Sequence, residues 1–384
     1  MPSSDTNPNS PHLRIHIATP NVRTHDAIGT DVIGMAAVLT AAGYRTEILT
    51  DDWDPACVPA ATSVSPEAAH KWRFGDDLLI YHHSTHWPEG EQMLAQSRCG
   101  VVVRYHNVTP AAYFEGYSEP HTAASLAGLA ATRRLAALPG AQFWGDSAFN
   151  CIEVIDFGAP RENCRVLPPF HGVEAMAREA PDSRLVAEYH DGSANIIFVG
   201  AFKPNKAHAR AIRVFALYHH CFNPKSRLIL IGSIQAVFTG YLDWLRQLAT
   251  AYGVDGRVVF ATSVSRAELR SYYLLADVFL CVSEHEGFCV PLIEAMYCQV
   301  PIVAWSTTAV SETLGGCALA WSGFDEGNLA ESIHTCVEQA DLSRNLRRMG
   351  RRHYDSCYAK DVLARRLLEY TAELAPHPAP AGAN

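Results

Sequence analysis

The stretch SEHEGFCVPLIEAM, Ser283 to Met296, constrains this chain more than any other. The run before it, DVFLCVS (Asp277 to Ser283), is short and almost continuously apolar, as expected of a parallel strand buried on both faces. The VPLIEAMYC segment after it reads as a helix, with Pro291 tolerated in the first turn. Glu286 then sits in a loop at the C-terminal end of a strand, and Glu294 sits inside the following helix. In open α/β sheets that end of the strands is where ligands bind. The helix start behind Cys289 and Val290 supplies N–H groups and a positive dipole end, suited to a phosphate. A carboxylate on either side would repel an anion but would grip hydroxyls of a ribose or a hexose. Phosphate and hydroxyl recognition together point to a sugar nucleotide.

The rest of the chain repeats the same strand-then-helix grammar. LRIHIAT (Leu13 to Thr19), RTEILT, DLLIYHHS and CGVVVRYHN read as strands, with a helix expected from about Thr30 to Ala42. QFWGDS, the helical AFNCIEVIDFG and CRVLPPF complete a first doubly wound unit. A second alternation starts at NIIFVG (Asn195 to Gly200) and a helix over His208 to Phe222. RLILIGS, a helix from Tyr241 to Tyr252, RVVFATS, the helix RAELRSYYLLA and DVFLCVS follow. PIVAWST, CALAWSG and helices over Asn328 to Leu374 end the pattern. Strands alternating with helices at this spacing imply parallel sheets. The expected organisation is a disordered tail over 1–12, a Rossmann-like domain over 13–170 and a Pro-, Gly- and acid-containing linker over 171–194. A second such domain follows over 195–374, whose last helices may return to the first domain, and then a Pro/Ala-rich disordered tail over 375–384. The fold class is therefore α/β, two doubly wound parallel-sheet domains facing an interdomain cleft.

Composition excludes several functions. A net charge of −9 does not advertise nucleic-acid binding. The 11 cysteines are scattered singly, with no C-x-x-C pair, the pattern of a reduced, cytoplasmic protein. The first residues lack the apolar core of a secretory signal, and no run is long enough to span a membrane.

Glu286 and Glu294 with the intervening GFCVPLI resemble the E-x7-E signature of retaining glycosyltransferases of GT-B fold, family 4. The resemblance extends from about Leu13 to Tyr370. It implies a nucleoside diphosphate sugar bound mainly by the second domain, a glycan or lipid-linked acceptor bound mainly by the first, and no metal or other cofactor. FVGAFKPNK resembles the family's FVGR-x-x-P-x-K segment, which implies that Lys206 holds the donor diphosphate. Ala201 stands where the family has Arg, and Lys203 is the substitute cation nearest in sequence. His106, in RYHN, matches the family's cleft histidine beside the transferred sugar, with Asn107 next to it. Gly29, in IGTDVIGMAAVL, matches the glycine of the loop that approaches the donor, with Ile28 replacing the second glycine. The resemblance further implies that Glu286 and the N–H groups of Phe288, Cys289 and Val290 grip the donor, and that Glu294 holds the ribose. Glu312, in AVSETLG, resembles the family's P-E-V element, with Ser311 in place of proline.

Three patterns read as solvated surface or structure. Asp52-Trp53-Asp54 is a D-x-D of the metal-chelating kind, but it follows a strand in an acidic loop away from the cleft elements. His82, His83 and His86 show no carboxylate or thiolate partner in sequence, so no metal site is expected. RNLRRMGRRH (Arg344 to His353) is a basic helix, with peripheral contact to anionic lipid as the functional alternative. The function implied is transfer of a hexose from GDP-mannose or a UDP-hexose, with retention, in polysaccharide or glycoconjugate biosynthesis. A GT-B nucleotide-sugar epimerase and a catalytically silent sugar-nucleotide binder remain as alternatives.

Overall fold

The computed structural model describes residues 13–23, 26–55, 62–63 and 77–374. The two expected tails, 1–12 and 375–384, lie outside the described residues. Two compact units result. The first takes the described residues up to Val108, Ala127–His171 and those from Lys360 on; the second takes Thr109–Leu126 and Gly172–Ala359.

The first unit is built on β1 (Arg14–Ala18), β2 (Asn21–Val22), β3 (Arg45–Thr50), β4 (Asp52–Trp53), β5 (Thr62–Ser63), β6 (Leu78–His83), β7 (Gly100–Tyr105), β8 (Gln142–Gly145) and β9 (Cys164–Val166). Seven of these form one parallel sheet in the order β5-β3-β1-β6-β7-β8-β9, and β2 pairs with β4 beside it. The order reverses between β1 and β6, which makes their C-terminal ends the switch point. All six residues of β6 are buried, as expected where helices cover both faces.

The second unit has a six-stranded parallel sheet of β10 (Ala194–Val199), β11 (Ser226–Gly232), β12 (Val258–Thr262), β13 (Val278–Cys281), β14 (Ile302–Trp305) and β15 (Leu319–Trp321). Its order is β12-β11-β10-β13-β14-β15, so its switch point lies between β10 and β13. Ile196 pairs with Leu228 on one side and Val278 on the other, at the centre of the sheet.

Each sheet separates two apolar layers. In the second unit Phe198, Phe215 and Leu280 lie on one side, and Ile197, Phe279 and Leu292 on the other. In the first unit Tyr81, Val103 and Phe143 oppose Ile15, Ile80 and Val102. Local chemistry sets the helix starts. Asp26 caps the helix Ala27–Ala41 by accepting from Gly29 N–H, and Ser265 forms a full capping box with Glu268 on Arg266–Leu275.

Two segments differ from expectation, and the return of the last helix to the first unit is present. The stretch expected as a linker carries two helices, Val173–Met176 and Ser183–Tyr189, and Tyr354 donates to Glu174 at 2.6 Å, so this segment is part of the second unit. Thr109–Leu126 also belongs to the second unit, where Phe114 joins the core and packs against Phe238. Neither packing leaves a compositional mark that a sequence would show. Finally, helix Lys360–Leu374 belongs to the first unit, where Leu363 and Leu367 are buried with Leu13, Val32 and Phe170. Tyr370 donates to Val166 O at 3.2 Å in the same place. Leu367→Ala should therefore destabilise the first unit by about 2–5 kcal/mol, the cost of emptying a fully buried leucine site. Urea unfolding followed separately in the two units checks this: the second unit's transition should stay in place.

Candidate functional site

At the second unit's switch point, the loop after β10 and the loop after β13 are stitched together. Glu284 N–H donates to Asn205 O at 3.0 Å, and Asn205 Nδ2 donates to His285 O at 3.4 Å. This places Lys206 against Glu286: the ammonium donates to both carboxylate oxygens at 2.7 Å. The Glu286 side chain is 8% exposed and that of Lys206 22%, so the pair sits at the mouth of a buried position. Burial disfavours the Lys206 ammonium, but the Glu286 carboxylate, together with Cys289 and Cys281, outweighs it, and the Lys206 pKa ends above its usual value. An ionised carboxylate has about four acceptor directions and an ammonium three N–H groups. The pair therefore keeps capacity on both partners, hydroxyl-accepting on one and phosphate-donating on the other.

Glu286 is fixed from behind. Its N–H donates to Thr308 Oγ1 at 2.9 Å, and Thr308 Oγ1 lies 2.8 Å from Glu286 O. Beyond it, Phe288 packs edge-on against Tyr358, and its carbonyl accepts from Thr313 Oγ1 at 2.6 Å. Cys289 is the N-cap of helix Val290–Tyr297, with no side-chain cap and Pro291 in the first turn. That helix end meets the pair with an uncapped dipole, the arrangement that binds phosphates. Cys289 is buried beside Cys281, and its thiol is pushed up by the Cys281 hydrogen bond and by burial. Val290 is partly buried.

Backbone strain concentrates here. Among the described residues six non-glycine positions have positive φ, and Ala207 (55°), Cys289 (77°) and Thr308 (43°) flank this pair. Such conformations cost on the order of 1–3 kcal/mol each and persist where the surroundings over-determine them.

The other expected donor residues spread out. Glu294 lies eight positions on, partly buried, and accepts from Tyr273 OH at 2.7 Å. Burial raises its pKa, with the Tyr273 bond acting the other way. Lys203 caps the short turn Pro204–Lys206 through its backbone and is partly buried. Glu312 is exposed on helix Val310–Leu314. The Arg absent at Ala201 is not replaced by Arg210, whose Nε donates to Glu284 at 2.6 Å beneath the rings of Trp305 and Phe324. Sequence reading missed Tyr273, Thr308 and His285, since nothing in local pattern announces their contacts.

In the first unit, the expected residues surround a buried polar network at the other switch point. Gly29 is not in a loop: it lies in the first turn of Ala27–Ala41, where a Cβ would come within 2.7 Å of the Arg23 carbonyl, which is its structural reason. Asn107, at φ 72°, donates to Glu153 at 2.8 Å and is buried. His106 has both ring nitrogens engaged. Its Nδ1 lies 3.0 Å from Asp146 Oδ2, and its Nε2 lies 2.8 Å from His82 Nδ1. A carboxylate only accepts, so Nδ1 carries a proton toward Asp146, and Nε2 faces His82. The sugar contact expected of His106 would exchange one of these two ring contacts for a hydroxyl. His82 stays neutral: burial, then His106 and Arg104, hold its pKa well below the usual value. Arg104 is fully buried between Asp31 at 2.9 Å and Asp146 at 2.7 Å. Of the other histidines, His83 lies 2.8 Å from Thr132 Oγ1 and His86 is 3.4 Å from Glu91. Asp52 is exposed and pairs with Arg23. Of the basic helix Ala340–Cys357, Leu346, Gly350 and Tyr354 face inward, while Arg344 and Arg351 pair with Asp341 and Asp355.

Comparison with known proteins places these features. The chain is similar to solved GT-B structures: sucrose-phosphate synthase from Thermosynechococcus elongatus (TM-score 0.74, 16% identity, 94% of this chain and 99% of that one). An Anabaena protein, HepE, solved with UDP and glucose, is comparable (TM-score 0.71, 16% identity, 94% and 100%). The fold is that of the GT-B glycosyltransferases. Residues 185–353, which hold Lys206, Glu286 and Glu294, match the family model described as Glycosyl transferases group 1. Among curated proteins, the D-inositol 3-phosphate glycosyltransferase of Acidothermus cellulolyticus is 29% identical over 240 residues, 57% of this chain and 52% of that protein. The mannosylfructose-phosphate synthase of Agrobacterium fabrum is 24% identical over 56% of this chain and 49% of that one. The chain thus spans about half the length of these two curated relatives.

One prediction concerns pH. Burial lowers the His285 pKa to about 4, against an ordinary value of 6.5. Between those values the unfolded chain takes a proton at His285 that the folded chain refuses. Stability from this group is intact above about pH 6.5 and is lost as pH falls toward about 4. His285→Gln should flatten that slope in the second unit's urea unfolding measured at stepped pH; an unchanged slope would assign it to other groups.

Proposed function

We propose that the chain is a retaining hexosyltransferase using a nucleoside diphosphate hexose, GDP-mannose or a UDP-hexose, with a glycan or lipid-linked sugar as acceptor. The observation that carries this is the Lys206–Glu286 pair beside an uncapped helix start at a sheet switch point. In this reading Lys206 and the N–H groups from Phe288 to Val290 receive the diphosphate, where charge grows as the donor bond breaks. Glu286 accepts from hydroxyls of the transferred hexose, and Glu294 from the ribose, exchanging its Tyr273 bond for a sugar hydroxyl. In this reading no carboxylate is assigned as a nucleophile, so the double-displacement device of retaining glycosidases is set aside. Attack comes instead from the face the diphosphate leaves, through an oxocarbenium-like transition state, and the departing phosphate takes the acceptor's proton. The curated relatives' names, an inositol-phosphate glycosyltransferase and a mannosylfructose-phosphate synthase, support a hydroxyl acceptor. Among the described residues no helix is long and apolar enough to cross a membrane. The exposed arginines of Ala340–Cys357 are the proposed peripheral contact with anionic lipid. Donor binding is proposed to need no metal, because cation and helix dipole already meet the diphosphate.

The deciding experiment incubates the full chain with a panel of sugar nucleotides and acceptors and identifies products. Transfer with retention supports the reading; epimerised donor, or binding without turnover, replaces it with one of the alternatives. Glu286→Gln keeps the shape and removes the charge, weakening charge-assisted hydrogen bonds worth roughly 1.5–3 kcal/mol, so kcat/KM should drop about ten- to a hundredfold. Full activity would remove Glu286 from the site. Lys206→Ala should weaken nucleoside diphosphate and intact donor alike by calorimetry. Unchanged diphosphate affinity would make Lys206 a bystander, with Lys203 next to test.

A further inference from the structure

The first unit's switch point carries a cluster separate from the Lys206–Glu286 pair. Asp31 comes from the first turns of Ala27–Ala41, His82 from β6 and His106 from the end of β7. Asp31 is fully buried, and His82 is 2% exposed. His82 Nδ1, His106 Nε2 and Asp31 Oδ2 converge, at 2.8, 3.9 and 3.8 Å from one another. The 2.8 Å separation is an ordinary hydrogen bond between the rings. The carboxylate oxygen is another matter: it stands nearly equidistant from both nitrogens and too far to hydrogen-bond either. A point in the plane of the three atoms lies about 2.1 Å from each, the distance at which zinc takes imidazole nitrogen and carboxylate oxygen.

The surroundings suit an ion as well. Asp146 holds His106 Nδ1 at 3.0 Å, which fixes the tautomer with Nε2 turned inward, the usual outer support of a metal-bound histidine. Asp31 Oδ1 accepts from Phe170 N–H at 2.7 Å, and Arg104 Nε donates to Oδ2, so the carboxylate is oriented from two sides. His82 Nε2 is buried with no hydrogen-bond partner among the described residues.

We propose that Asp31, His82 and His106 form a zinc site, with a fourth position open to water or a hydroxyl. Two imidazoles and one carboxylate are a set that suits zinc better than magnesium or calcium, which prefer oxygen throughout. On the ion, the His82 proton resides on Nε2 and Asp31 Oδ2 uses the lone pair that Arg104 leaves. His106 then meets any hydroxyl through the ion and not through its own ring. The inference is independent of the donor reading, which concerns the other unit.

The test uses the purified full chain, stripped with chelator and then titrated with zinc by calorimetry, with metal content measured after dialysis. About one zinc per chain, with binding weakened a hundredfold or more in both His82→Gln and His106→Gln, is the expected result. Asp146→Asn should weaken it about ten- to a hundredfold, the scale of losing an outer-shell partner. UDP and GDP affinity, read in the same samples, should be the same in every variant and with chelator, which confirms a folded second unit and separates this outcome from failure of the donor reading. Cobalt in place of zinc gives a second readout on the wild type: a tetrahedral visible spectrum without a thiolate charge-transfer band. No retained zinc, equal zinc binding in the His82 and His106 variants, or a thiolate band pointing to the chain's cysteines would each overturn the proposal.

Discussion

The contact between Lys206 and Glu286 is the constraint around which the second unit is organised. Both groups sit on loops that leave neighbouring parallel strands, and the ion pair ties these loops where the sheet order reverses. A partly buried pair of this kind is weak evidence for stability, because desolvation of both charges consumes most of the Coulomb gain. Its value lies in holding a cation and a carboxylate at a fixed separation before any ligand arrives. Preorganised charge of this sort does not have to reorient when a diphosphate begins to leave.

The backbone around the pair follows from that constraint. Ala207, Cys289 and Thr308 all adopt left-handed conformations that side chains other than glycine rarely take. Each has a visible function: Ala207 turns the chain from Lys206 into helix His208–Cys221, Cys289 opens helix Val290–Tyr297, and Thr308 clamps Glu286 with its hydroxyl. The two parallel apolar layers behind them hold these turns in place. Strain is concentrated where loops must aim side chains, while β10 and β13 themselves are regular.

How much of this was legible depends on the range of the contacts. Strands such as NIIFVG and DVFLCVS announce themselves by composition, and SEHEGFCVPLIEAM shows its strand, turn and helix in one line, because the information is local. Helix Ala27–Ala41 begins one turn before the sequence pattern predicts, since the Asp26 cap is indistinguishable in sequence from any loop aspartate and shows only in its bond to Gly29 N–H. His82 does not read as a ligand in the sequence, because no carboxylate stands near it there. Asp31 reaches it from 51 positions away, and Asp146 reaches His106 from 40. The segments 109–126 and 171–194 were misassigned for the same reason: which unit a short amphipathic stretch joins is decided by the core that receives it.

The two switch points show how one topology hosts different chemistry. In each, a residue just past a central strand meets a partner delivered by a neighbouring element, so the sheet sets the separations and the side chains set the function. In the second unit the partners are an ammonium, a carboxylate and a helix start, groups that recognise phosphate and hydroxyl. In the first they are two imidazoles and two carboxylates bridged by a fully buried arginine. Arg104 explains why that second set is tolerable at all. Its guanidinium lies between Asp31 at 2.9 Å and Asp146 at 2.7 Å, so neither buried carboxylate is left without an opposite charge. With it, both stay available as acceptors, one orienting His106 and the other aimed at the space the two rings share.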